Sequence, residues 1–156
     1  MLSVDDVAGA ASLFGASAFV GSLFGGSNRN GGKKPRFVSN DGLQNNLTRQ
    51  LKMSPQTLAQ LHKHGVTEQM TLKLEFFFYT DTEAKGQSLA GTLKRLEYTV
   101  ECAPMASDAR LFLLTGWTTP IKMNETSVLG WTTRMCYVGH EHDCDFDGWG
   151  TNPRQN

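Results

Sequence analysis

Between Met70 and Thr80 the chain reads MTLKLEFFFYT, and this alternation restricts the fold more than any other stretch. In an extended strand successive side chains point to opposite faces, so Leu72, Leu74, Phe76 and Phe78 share one face. Thr71, Lys73, Glu75, Phe77 and Tyr79 share the other, which turns from polar to aromatic along its length. A strand with one wholly apolar face must be roofed by other elements. The mixed second face fits a central strand covered at one end.

The period then changes along the chain. Asp81 or Thr82 is placed to cap a helix in which Leu89, Leu93 and Leu96 recur at i, i+4 and i+7. Tyr98–Cys102 reads as a strand, Pro104–Asp108 as a turn and Arg110–Trp117 as another strand. Asn124 or Thr126 caps a second helix carrying Val128, Trp131, Met135 and Val138, which Gly139 should end. Cys144-Asp-Phe146 leaves room for one short final strand. Upstream, Ser54-Pro55 has the form of an N-cap followed by Pro at the first helical position, with Leu58 and Leu61 as apolar edge and Gly65 as stop. The expected class is α+β: a ferredoxin-like βαββαβ sandwich with an additional N-terminal helix.

Ahead of that helix the composition is different. Val7–Asn28 is uncharged and dominated by Ala, Gly and Ser, and Ser27–Pro35 and the polar Ser39–Gln50 read as linker. Residues 7–28 are long enough to span a bilayer, and Gly21 and Gly25 have helix-packing spacing, so they are a candidate for weak membrane association. The expected organisation is an arm and linker at 1–50, a short helix at 51–67 and the main domain at 68–156. Up to residue 67 there are seven basic and three acidic residues; from 68 onward there are eight basic and twelve acidic. An acidic domain repels phosphate and attracts basic proteins, which argues against direct nucleic-acid binding. The cysteines, Cys102, Cys136 and Cys144, are odd in number and have no CxxC spacing, so free thiols and a cytoplasmic setting are expected, at the cytoplasmic face of the membrane if 7–28 inserts.

The segment His140-Glu-His-Asp-Cys-Asp-Phe-Asp-Gly-Trp-Gly-Thr151 gathers ionisable groups and a Trp between two glycines. Gly148 and Gly150 suggest a sharp turn that anchors Trp149, rimmed by Asp143, Asp145 and Asp147. His140, His142 and Cys144 are ligand types suited to zinc, but strict alternation would put them on one face of a strand with no fourth ligand evident. No nucleophile elbow, P-loop or paired-carboxylate pattern is present, so no catalytic residue, metal or cofactor is assigned.

The region from about Met70 to Thr151 resembles the RraB family of protein inhibitors that regulate ribonuclease E. The resemblance rests on Leu74-Glu-Phe-Phe-Phe-Tyr-Thr-Asp81, Leu96-Glu-Tyr-Thr-Val100 and above all Phe146-Asp-Gly-Trp-Gly-Thr151. The family commonly has Gly where Glu97 stands, which points to a different helix end here. What the resemblance implies is a non-enzymatic module that binds and inhibits an endoribonuclease of the ribonuclease E type. Asp143, Asp145 and Asp147 would then steer the partner, and Trp149 would shape the surface. The alternative is a small metal-binding domain, or a paralogous regulatory domain with a different protein partner.

Overall fold

A computed structural model describes residues 35–155. They form helices α1 (Asn40–Lys63), α2 (Glu83–Arg95) and α3 (Glu125–Glu141), and strands β1 (Thr71–Leu72), β2 (Glu75–Thr80), β3 (Thr99–Pro104), β4 (Phe112–Trp117), β5 (Ile121–Lys122) and β6 (Asp145–Gly150). The four longer strands make one antiparallel sheet in the order β3-β4-β2-β6, and β1 pairs with β5 in a second, two-stranded sheet. The chain is therefore α+β, with β2 central as its alternation requires. The candidate membrane-associated segment 7–28 lies outside the described residues. Among those described, no helix is long and apolar enough to cross a membrane.

The apolar face of β2 lies under the helices. Phe76, Phe78 and Leu114 of the sheet meet Leu89 and Leu93 of α2, Val128, Trp131 and Met135 of α3, and Leu58 and Leu61 of α1, all buried. Phe78 packs on Phe146 at 5.1 Å, and Trp131 stands edge-on to Phe146 and to Trp149 at 5.9 and 6.4 Å. Each such side chain contributes about 1.5–3 kcal/mol on burial. Gly139 does not end α3. A Cβ there would lie 2.8 Å from both the Cys144 carbonyl and the Phe78 ring, so the glycine lets helix, strand and loop approach closely.

The expected single strand 70–80 is two. At the break, Leu74 N donates to Thr118 Oγ1 and Thr118 N donates back to Leu74 O. Lys73 N donates to Gln155 Oε1, while Thr151 Oγ1 donates to Lys73 O. The backbone is thus satisfied by a neighbouring loop and the C-terminal segment, and the chain can leave one sheet for the other without orphaned groups.

The largest correction concerns the N-terminal side. Ser39–Gln50 is not a linker. Ser39 caps a 24-residue helix, its side chain accepting from Gly42 N, and Pro55 lies inside that helix rather than at its start. The buried stripe is Leu43, Asn46, Gln50, Ser54, Leu58 and Leu61, at helical spacing but polar through its middle. A stripe that is half amide and hydroxyl gives no apolar periodicity, which is why only the Ser54–Gly65 end was legible. The polar members bond to β6: Asn46 Nδ2 donates to Phe146 O at 2.7 Å, and Trp149 Nε1 donates to Ser54 Oγ at 3.0 Å.

All three helices end alike. The amides two beyond the helix caps, Val66, Tyr98 and Cys144, bond back to Leu61, Leu93 and Gly139 carbonyls, each closing a Schellman motif. Such a motif needs a left-handed residue just past the cap, and Gly65 (φ 91°), Glu97 (φ 67°) and Asp143 (φ 56°) supply it. Leu96, expected on the apolar edge of α2, is instead its C-cap and is half exposed.

Glu97→Gly should raise stability by about 0.5–1 kcal/mol, read as a higher midpoint in urea, because Glu carries a Cβ penalty at this φ that Gly lacks. Removing residues 1–34 should leave cooperative unfolding. Removing 1–50, which takes Leu43, Asn46 and Gln50 with it, should cost more than about 3 kcal/mol in the same assay.

Candidate protein-interaction site

Asp143, Asp145, Asp147 and Trp149, the residues expected to face a partner, are gathered at β6, but they do not form a charged rim. Asp145, Asp147 and Trp149 are each no more than 5% exposed, and all six residues of β6 are buried. Gly148 and Gly150 stand within the strand, not in a turn. Gly148 takes φ 128° where the pairing of β6 with β2 slips by one residue, a bulge that admits Asp147 as the extra residue.

Asp143 is the most heavily bonded of the set. Its carboxylate accepts from the amides of Phe37 and Val38 at 2.9 and 2.7 Å and from Lys85 Nζ at 2.7 Å, with Arg36 Nε at 3.6 Å. Burial works to raise its pKa, but the bonds from Lys85, Val38 and Phe37 outweigh it and hold the group below the usual carboxylate range. Arg36 also donates to the His140 carbonyl. Asp143 is a fastening point that ties the start of α1 to α2 and to the end of α3.

Asp145 and Asp147 are the reverse case. Burial pushes Asp145 up to about 6 and Asp147 up to about 7, against a weaker pull from Arg49. Arg49 of α1 stands 3.9 Å from Asp147 Oδ1, while Asp147 Oδ2 and Arg49 Nε are buried without partners. The phenol of Tyr79 is raised by burial and by the Asp147 charge. This is an underbonded polar pocket beneath α1.

The metal reading changes with the geometry. His140 lies in α3 and His142 is its C-cap, so the expected alternating strand is absent. The His142 ring sits between Ser88 Oγ at 2.9 Å and Thr92 Oγ1 at 3.0 Å, joining the end of α3 to one face of α2. Among the described residues no group of three His, Cys, Asp or Glu could hold a metal ion. The three cysteines are unpaired, and burial pushes Cys136 and Cys144 up to about 12, far from thiolate chemistry at neutral pH.

With the helices packed on the inner side, the register fixes the opposite face of the sheet. Trp117 and Gly150 flank Glu75, and Thr115 and Gly148 flank Phe77. Phe77, Thr115 and Trp117 are half-exposed, giving this face an aromatic character that the alternation of β2 had signalled only in part. Among the described residues the exposed acidic charge lies elsewhere than expected, in Asp41, Glu68, Asp81, Glu83, Glu97, Glu101, Glu125 and Glu141.

Residues 52–151 match the family model of RraB, regulator of ribonuclease activity B. The match takes in the second half of α1 and every strand of both sheets, and ends on the Thr151 that closes the terminal motif. The chain belongs to the RraB family, a family of ribonuclease regulators. A comparison of the chain with curated proteins found no match.

The pH behaviour of the pocket follows from the raised pKa values. Unfolding returns both groups to about 3.8, so the folded form binds their protons more tightly. Their contribution to stability is complete below about pH 4 and is lost as pH rises through about 6 and 7. Unfolding free energy should fall between pH 5 and 8, by on the order of 2 kcal/mol per group, and the melting temperature should fall with it. Asp147→Asn should flatten that slope and raise the melting temperature at pH 8; an unchanged slope would contradict the assignment.

Proposed function

We propose that this protein binds an RNA-processing endoribonuclease of the ribonuclease E type and lowers its activity by protein contact. It does no chemistry of its own and takes up neither cofactor nor RNA. The observation that carries this reading is the family match over residues 52–151, which covers the folded core from the second half of α1 to the end of β6. The βαββαβ succession of the longer strands with α2 and α3, and the order β3-β4-β2-β6, support a ferredoxin-like plan with α1 added and β1 and β5 inserted. The cytoplasm, where such nucleases meet their transcripts, is the proposed location.

A physical route to a basic partner is available. From residue 68 onward twelve acidic residues face eight basic ones, but the exposed side chains there balance at seven acidic and seven basic, so the exposed acidic groups act locally rather than as a net field. Such charge accelerates encounter more than it strengthens the final complex. Trp149, buried against Trp131 and Ser54, supports the surface from below.

The purified full chain, used as bait in extract of its native host, should retain a ribonuclease E-type nuclease and slow its cleavage of RNA. Inhibition should weaken as salt is raised, because exposed charges are screened beyond about 8 Å at physiological ionic strength. A nuclease that is neither retained nor slowed at low salt would refute the assignment.

A further inference from the structure

Glu75 stands on the outer face of the sheet in an unsatisfied state. Its Oε1 accepts one long bond, 3.4 Å from Thr115 Oγ1, and its Oε2 is buried with no hydrogen-bond partner. No ion pair to it occurs among the described residues. A carboxylate held this way costs free energy unless a cation meets it. Burial accordingly raises its pKa, the Thr115 bond only partly offsetting that.

The neighbours of Glu75 suit one kind of cation. Trp117 stands directly opposite on β4, and Phe77 follows two residues on along the same face of β2. Both rings are half-exposed. On the other side, Gly150 faces Glu75 and Gly148 faces Phe77, so β6 contributes no side chain to this part of the face. A guanidinium is weakly hydrated, stacks on aromatic rings and pairs with a carboxylate through two donors, whereas a glycine-floored strip admits the stem and backbone of an extended segment.

We propose that Glu75, flanked by Phe77 and Trp117, is the receptor for one arginine side chain on an extended segment of the protein partner. The identity of that partner as the nuclease rests on the regulatory reading above; the receptor itself rests on the unpaired carboxylate and the rings beside it. The partner's arginine supplies the hydrogen bonds that Oε2 lacks.

Calorimetric titration of the full chain with an arginine nonapeptide, with the citrulline counterpart as neutral control, reads this receptor directly. E75Q should weaken binding of the arginine peptide about tenfold or more, while E68Q, which removes the same charge from an exposed loop, should change it less than about twofold. W117L, which keeps an apolar side chain but removes the ring, should also weaken it, with thermal melts confirming that both variants fold. Equal losses in E75Q and E68Q would reduce the effect to net charge and overturn the proposal. Titration with a purified ribonuclease E-type nuclease separates the two readings. A wild-type chain that takes up the peptide in a Glu75-dependent way but ignores the nuclease keeps the receptor and loses the regulatory reading. A chain that binds the nuclease but shows no Glu75 dependence with either partner loses the receptor alone.

Discussion

Strand β6 lies at the margin of its sheet, so one side of its backbone has no neighbouring strand to bond. Helix α1 meets that need with side chains rather than with a strand. Asn46 and Gln50 reach the Phe146 carbonyl, and Ser54 takes the Trp149 indole proton while lying 3.3 Å from Thr132 Oγ1 of α3. Because these bonds are made out of water, losing one member strands a buried partner, at a cost of about 1–3 kcal/mol. The rest of the structure leans on this seam. It keeps β6 buried along its whole length, seats Trp149 against Trp131, and carries Asp145 and Asp147 into the interior.

Trp149 and the aspartates show how local sequence misplaces a site that tertiary contacts create. In a linear reading, Asp-Gly-Trp-Gly looks like a turn because each glycine permits one. The pairing of β6 with β2 uses Gly148 for a bulge instead and draws the flanking carboxylates inward. Asp143, meanwhile, is the left-handed residue of a helix end and a bonded anchor for Phe37 and Val38, roles set by contacts more than 100 residues apart. No spacing pattern encodes such a contact.

What was legible followed from single-element periodicity. Phe76 and Phe78 gave the core face of β2, Thr82 and Asn124 the caps of α2 and α3, and Val128, Trp131 and Met135 the buried edge of α3. What was hidden shared one physical cause, the satisfaction of polar groups by distant partners. Asn46, Gln50 and Ser54 form a buried stripe that looks like linker, and Lys73 with Leu74 breaks a strand whose alternation continues across the break. Glu75 belongs to the same class, since its unpaired oxygen emerges only when Trp117 and Gly150 are placed beside it.

Among the described residues, covering β6 leaves β3 as the sheet's one open margin, and β3 closes with Pro104, which has no amide proton to offer an incoming strand. Glu101 on the same strand is exposed and adds like-charge repulsion between copies. A second molecule attempting to extend the sheet meets a proline and a repelling carboxylate at one end and a helix at the other. The sheet is thereby protected against edge-to-edge polymerisation, so crowding in a concentrated solution does not extend it into a fibre.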